Sequence, residues 1–114
     1  MDFENGNVKL TVEGDTLFAY ISGEIDHHSA KSVRESIDTA LVSYSPDVLI
    51  MDVSGITFMD SSGLGLVLGR YTKTSEAGIG FFVTGVGERI EKMFDMAGLY
   101  RIIDYKEQKD EKNM

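Results

Sequence analysis

The chain has 114 residues, 42% of them hydrophobic and 26% charged, which is enough to form one globular domain with its own core. It contains no cysteine, so a disulfide framework, a thiolate zinc site and a thiol nucleophile are excluded, and a cytoplasmic location is expected. The net charge is −8, and residues 1–60 contain 3 basic and 11 acidic side chains, a balance that disfavours nucleic acid and favours a basic protein partner.

The first two strands are predicted from hydrophobic patterning. Hydrophobic and polar residues alternate over residues 8–12, which predicts a half-exposed strand, and Gly14-Asp15 then predicts a turn. Residues 17–22 predict a second strand. Together they predict an N-terminal β-hairpin at an edge of the sheet.

A first helix is predicted after Gly23, because hydrophobic residues then recur at helical spacing until Pro46, which cannot continue a helix. Its N-cap is predicted to be Asp26 or Ser29. Its predicted buried face consists of Ala30, Val33, Ile37, Ala40, Leu41 and Tyr44. The hydrophobic block at residues 48–51 then predicts a central strand that is buried on both faces and ends at Asp52-Val53.

The second half of the chain predicts two more helices and two more strands. A helix from Ser61 to just before Gly78 is predicted to turn Leu64, Val67, Leu68 and Tyr71 inward. After a strand at residues 79–84, a third helix is predicted to bury Ile90, Met93, Phe94 and Ala97 and to end at Gly98, a left-handed C-cap. Residues 101–105 predict a last short strand.

Strands that alternate with helices predict an α/β fold, with a mixed and mostly parallel sheet of about five strands and helices packed on it. We expect a single domain over residues 1–105 and a polar C-terminal tail at 106–114. The N-terminus has no signal-peptide pattern, and no unbroken hydrophobic run is longer than five residues, so no membrane association is expected.

The segment Phe58-Met59-Asp60-Ser61-Ser62-Gly63-Leu64-Gly65 carries the strongest functional signal, because it joins the predicted central strand to the second helix. One interpretation is structural: Asp60 or Ser61 caps a helix that packs closely on the sheet. The other is that a serine hydroxyl there accepts a phosphoryl group, whose negative charge is favourable at a helix N-terminus. Spacing alone does not distinguish Ser61 from Ser62. Gly63 and Gly65 are unfavourable inside a helix and predict a compensating contact, such as the close approach of another backbone segment.

Other catalytic, metal and cofactor sites have weak support. Glu24, Asp26, His27 and His28 are too close together in sequence to converge on one metal ion, and the chain has no further histidine. A serine hydrolase using these residues with Ser61 or Ser62 lacks the Gly-x-Ser-x-Gly pattern. No phosphate-binding loop or dinucleotide fingerprint is complete, so no cofactor is expected.

Three blocks, taken together, resemble a known family. They are Gly23–Ala30, the Phe58–Gly65 segment with Leu68–Tyr71 after it, and Met93–Leu99. Over about residues 7–105 the chain is similar to the anti-sigma-factor antagonists of the STAS (sulfate transporter and anti-sigma antagonist) family, closest to the sporulation type.

The resemblance implies a bacterial partner switch. An unmodified antagonist binds an anti-sigma factor, a serine kinase with bound ATP or ADP, and thereby releases the sigma factor; phosphorylation ends this binding, and a serine phosphatase restores it. The resemblance assigns the phosphoacceptor to Ser61, and partner binding to Ser61 with Asp26, Asp60, Ser62 and Gly63. The acidic charge of residues 1–60 adds Glu24 to the expected partner-binding residues. It implies no enzymatic activity and a monomer when free. The alternatives are a STAS scaffold that is not phosphorylated and the small serine hydrolase.

Overall fold

The computed structural model describes residues 2–99 and 104–106. Strands and helices alternate along this part of the chain, as the sequence predicts. They are β1 (Asp2–Asn5), β2 (Val8–Glu13), β3 (Thr16–Ile25), α1 (His27–Tyr44), β4 (Val48–Met59), α2 (Ser61–Ala77), β5 (Gly80–Thr84), α3 (Glu88–Ala97) and β6 (Asp104–Lys106). No helix in these ranges is both long and apolar enough to cross a lipid bilayer.

The strands form one sheet whose spatial order follows the order of the chain, from β1 to β6. The pairs β1–β2 and β2–β3 are antiparallel, whereas β3–β4, β4–β5 and β5–β6 are parallel. Because β-α-β crossovers are right-handed and these all step in one direction, α1, α2 and α3 pack on the same face of the sheet. The predicted α/β fold with a mixed sheet is confirmed.

The N-terminal hairpin of β2 and β3 is confirmed, but its predicted place at the sheet edge is wrong. β1 pairs with β2, through Phe3 opposite Leu10, and forms the edge, so the described sheet has six strands. Phe3 is the only hydrophobic residue in β1, and every residue of this strand is exposed. Backbone pairing to β2 therefore holds β1, and a hydrophobic pattern does not reveal it.

The central strand β4 is longer and less buried than predicted. Leu49, Met51 and Val53 are fully buried under the helices, whereas Val48 and Ile50 on the other face are only half-buried. Burial on both faces was the wrong prediction, because all three helices lie on one side of the sheet. β4 also continues past Val53 to Met59, paired with an equally extended β3.

The helices begin and end near the predicted residues, but the buried face of each of the three differs in part from the prediction. In α1, Tyr44 is exposed while the other predicted core residues are buried. In α2, Leu68 is exposed, Leu64 and Tyr71 are half-buried, and the buried set is Gly63, Leu66, Val67, Arg70 and Thr74. In α3, Ala97 is exposed and Met93 is half-buried.

The predicted helix ends at Gly78 and Gly98 are confirmed, since both glycines are left-handed C-caps with φ of 73° and 72°. The predicted last strand begins at Asp104 and ends at Lys106. Residues 101–103 of that prediction, and the predicted tail from residue 107 onward, lie outside the described residues.

Candidate functional site

The candidate site lies where two neighbouring parallel strands end together. Ile25, the last residue of β3, is in register with Met59, the last residue of β4. An aspartate follows each of them, and each aspartate is the N-cap of the next helix. The backbone N–H of Asp60 donates a hydrogen bond to the carbonyl of Ile25 (3.3 Å). The topology therefore places Asp26 and Asp60, 34 positions apart in sequence, side by side at the carboxyl edge of the sheet.

Asp60 begins α2 and fixes the backbone around the two serines. Its Oδ1 accepts a hydrogen bond from the N–H of Ser62 (2.8 Å), and its carbonyl accepts one from the N–H of Gly63 (2.9 Å). This satisfies two of the otherwise unpaired donors in the first turn. The structural interpretation of Asp60 as a helix cap is thus confirmed, and it leaves the neighbouring serine hydroxyls available.

The two serines have different environments. Ser61 is the first residue of α2 and is exposed, whereas Ser62 is half-buried and faces the groove between α1 and α2. Within residues 2–99 the Ser61 hydroxyl makes no hydrogen bond, so it is sterically and chemically accessible. A phosphoryl group on Ser61 would enter solvent at the positive end of the helix dipole, with no rearrangement of the core.

Gly63 is buried at the base of the site, where a larger residue does not fit. A Cβ at this position would overlap the side chain of Met59, which is itself buried, and would also contact Ile25 at 3.4 Å. The close approach at Gly63 is made by the Met59 side chain and not, as predicted, by another backbone segment. Gly65 differs, because a Cβ there would meet no atom within 4 Å, and packing against the described chain does not explain this glycine.

The junction between β3 and α1 is held by a reciprocal capping box. Asp26 Oδ1 accepts from the N–H of Ser29 (2.9 Å), and Ser29 Oγ accepts from the N–H of Asp26 (2.9 Å). Both residues proposed as the N-cap thus take part, with Asp26 as the cap and Ser29 in the third helical position. The hydrogen bonds from the Ser29 backbone and side chain, together with weaker contributions from His28, hold the pKa of Asp26 below its usual value.

Glu24 lies two residues before Asp26, in register with Phe58 of β4. Its side chain is exposed, and its carbonyl accepts a hydrogen bond from Ser29 Oγ (2.8 Å). The structure therefore brings Glu24, Asp26, Asp60 and Ser61 to one exposed edge, with an ionisable carboxylate on three of them.

Two features, one at this edge and one in the groove between α1 and α2, were not identified as functional from the sequence. Phe58 is 50% exposed beside the acidic residues, and a hydrophobic residue so exposed is typical of a protein contact. It belongs to the Phe58–Gly65 segment, but its place after the predicted central strand gives no indication that it is exposed. Between α1 and α2, Arg34 and Arg70 line a groove of about 440 Å³, which only the tertiary structure reveals.

The alternative chemistries have no geometric support in the described residues. Within residues 2–99 no hydrogen bond joins Ser61 or Ser62 to His27 or His28, the contact that a serine nucleophile and its base would make. The same residues contain no group of three or more His, Asp or Glu side chains placed to hold a metal ion.

Comparison with known proteins identifies the family to which the chain belongs. The model of the STAS domain family matches residues 7–112, nearly the whole chain. The chain is a member of the STAS domain family. Among curated relatives, this STAS domain is 32% identical over 99 residues to the anti-sigma F factor antagonist of Paenibacillus polymyxa, an alignment that covers 87% of this chain and 85% of the relative.

Comparison with solved structures shows that the similarity to relatives includes the fold. The unphosphorylated form of the anti-sigma factor antagonist SpoIIAA superposes with a TM-score of 0.76 at 27% identity, over 90% of each chain. The phosphorylated form of the Bacillus cell fate determinant SpoIIAA gives a TM-score of 0.71 at 26% identity, over 93% of this chain and 96% of that one. The same fold therefore occurs with and without a phosphoryl group in a relative, and the relatives' family is regulatory.

Proposed function

We propose that this STAS domain is an anti-sigma factor antagonist that works by partner switching. Its unphosphorylated form binds an anti-sigma factor serine kinase that carries ATP or ADP, and this binding releases the sigma factor. Relatives that share about a third of its residues over most of its length and bear this name support the proposal. In this role the chain is a kinase substrate and a binding partner, and it is not itself an enzyme.

Ser61 is the proposed phosphoacceptor, and its exposure at the start of α2 is the observation that carries this assignment. A kinase must align the hydroxyl with the terminal phosphate of ATP, which requires an accessible side chain. Ser62 is half-buried, and its backbone N–H is held by Asp60. The two serines are thus unequal substrates although they are adjacent in sequence.

The off-state follows from charge at the same edge. A phosphoryl group adds a charge of about −1.5 to −2 next to Asp60 and near Asp26 and Glu24. This local negative charge would face the phosphates of the nucleotide on the kinase, and the group would also displace the contact made by the Ser61 side chain. A loss of about 3 kcal/mol in binding free energy lowers the affinity more than about a hundredfold. A serine phosphatase that removes the group would restore binding.

The test is to mix the protein with a candidate anti-sigma kinase and ATP, and to measure phosphoryl transfer and complex formation together. We expect one phosphoryl group on Ser61, identified by peptide mapping, and release of the complex as it accumulates. Ser62→Ala, the matched control, should still be phosphorylated and released. Ser61→Ala should stay bound, and Ser61→Asp should bind poorly.

Two outcomes would contradict the assignment of Ser61. One is equal affinity of Ser61→Ala and Ser61→Asp for the ADP-loaded kinase. The other is unchanged phosphorylation of Ser61→Ala. Stable binding without any phosphoryl transfer would instead favour the STAS scaffold.

A further inference from the structure

The groove between α1 and α2 concentrates positive charge in an acidic protein. Only 3 of the first 60 residues are basic, and two of them, Lys31 and Arg34, line this groove. Arg70 of α2 lines it from the opposite side, while no carboxylate is part of the lining. Within residues 2–99 neither Lys31 nor Arg34 forms an ion pair, so two positive charges there are uncompensated.

Arg70 provides an independent observation in favour of an anion site. It is only 6% exposed, and its Nη1 is buried without a hydrogen-bond partner. Its Nε lies 3.0 Å from Oδ1 of Asp38, an ion pair that compensates the charge without forming a hydrogen bond, so neither Nε nor Nη1 has a hydrogen-bond acceptor. Burial lowers the pKa of Arg70, Asp38 opposes this, and the nearby positive charge of Arg34 adds to the lowering. An anion between the guanidinium groups of Arg34 and Arg70 would provide a hydrogen-bond acceptor for Arg70 and would reduce the repulsion between the two positive charges.

Two glycines keep the groove open. Gly65 and Gly69 lie four residues apart on α2 and both line it. A Cβ at either position would meet no atom within 4 Å, so packing within the described chain requires neither glycine. Each costs about 1 kcal/mol relative to alanine in a helix interior. Glycine without a packing reason is typical of a surface on which a ligand lies close to the backbone.

We propose that this groove binds the phosphate group of a small phosphate ester between Arg34 and Arg70, with the body of the ester over Gly65. The charges of Lys31 and Arg34, which no ion pair compensates, match a phosphate dianion, and guanidinium groups such as those of Arg34 and Arg70 bind phosphate through paired hydrogen bonds. The volume of about 440 Å³ exceeds what a phosphate alone fills and lies within the range of small-molecule sites. The Ser62 hydroxyl lines the groove and supplies a further donor, while Ser61 lies outside it. The site is therefore separate from the proposed phosphoacceptor.

The test is an NMR titration of the full-length, 15N-labelled protein with phenyl phosphate, with benzyl alcohol as the uncharged counterpart. We expect saturable shifts of the amides of residues 27–34 and 62–70 with phenyl phosphate, and none with benzyl alcohol. Saturable shifts confined to other residues, equal shifts with both compounds, or no saturation would overturn the proposal. Inorganic phosphate should bind more weakly at the same amides, because it lacks the body that covers Gly65.

Matched variants separate the groove from general charge. Arg34→Gln should weaken phenyl phosphate binding about tenfold, whereas Arg89→Gln, the same change on the exposed surface of α3, should leave it unaltered. Gly65→Leu fills the groove without removing charge and should abolish binding, with the amide spectrum of a folded protein retained. Equal affinities of Arg34→Gln and Arg89→Gln would overturn the site. Tighter binding of a phosphoseryl peptide than of phenyl phosphate would overturn the small-molecule assignment.

Discussion

At the residue scale, Asp60 has two roles, and a single substitution would not separate their effects. Its carboxylate caps α2 through the N–H of Ser62, and it contributes negative charge beside Ser61. Asparagine is an equally good N-cap but is uncharged, whereas alanine removes both the cap and the charge. Comparing the two substitutions therefore separates folding from recognition.

We predict that Asp60→Ala lowers the free energy of unfolding by about 1 kcal/mol, because the N–H of Ser62 loses its acceptor. Asp60→Asn should retain nearly all of the stability. Urea unfolding followed by circular dichroism measures both changes. Asp95→Ala, an exposed aspartate on α3, is the control and should have little effect. Equal stability of Asp60→Ala and Asp60→Asn would mean that the cap contributes nothing.

Gly63 and Gly65 make opposite predictions although they are two residues apart. Gly63→Ala should destabilise the protein by about 1–3 kcal/mol, because the added methyl group displaces the buried Met59 side chain. Gly65→Ala should raise the stability by up to about 1 kcal/mol, because its Cβ enters open space in a helix. Thermal unfolding of the pair tests the packing directly. A stabilising Gly63→Ala would show that Met59 moves aside at no cost.

At the scale of whole elements, the sequence predicts most helices and strands but not every buried face. Val67 was placed correctly in α2, whereas Leu68 is 40% exposed and Arg70 is buried instead. Gly63, Val67 and Arg70 follow one another at spacings of four and three residues and share the inner face of the helix, where Gly63 lies against Met59. The inner face of a helix is predicted from the spacing of its hydrophobic residues, so this method does not identify a glycine and an arginine that lie on that face.

The same limit applies to the site. The strand-to-helix order and the Asp-Ser-Ser-Gly motif predict an exposed serine at a helix N-terminus, and Ser61 is there. The pairing of Ile25 with Met59 brings Asp26 beside Asp60, and this depends on the register of two parallel strands. Register is set by packing across the whole sheet, so local sequence does not determine it.

The contact between α1 and α2 includes a partly buried ion pair whose removal should be costly. Arg70 Nε lies 3.0 Å from Asp38, and Lys73 lies 3.8 Å from the same carboxylate. Asp38→Asn leaves the buried Arg70 charge without its counterion and should lower stability by about 2 kcal/mol. Lys73→Gln, at an exposed position, should change stability by less than about 0.5 kcal/mol. Denaturant unfolding measures the free energy of unfolding of both variants. Equal losses would show that the buried pair of Arg70 and Asp38 contributes no more to stability than the exposed pair of Lys73 and Asp38.

At the scale of the whole molecule, we expect charge to govern the rate at which the protein associates with the proposed partner. The first 60 residues hold 3 basic and 11 acidic side chains, and residues 61–114 hold 8 of each, so the acidic surface coincides with the half that contains Glu24, Asp26 and Asp60. Long-range attraction to a basic partner raises the association rate and is screened by salt over about 10 Å at 0.1 M. Short-range contacts, which salt affects little, set the dissociation rate.

We predict that association with the anti-sigma kinase slows by about tenfold as ionic strength rises from about 0.03 M to about 0.3 M, while dissociation changes little. Asp26→Asn keeps a good N-cap for α1 and removes one charge from the binding edge, so it should slow association. Asp47→Asn is the matched control, because Asp47 is exposed just before β4, at the opposite end of that strand from Asp60. Stopped-flow measurements of both variants across the salt series show whether the position of the removed charge matters, because the two variants have the same net charge. If the two variants associate equally fast at every salt concentration, net charge alone governs the encounter, and the acidic edge has no special part in it.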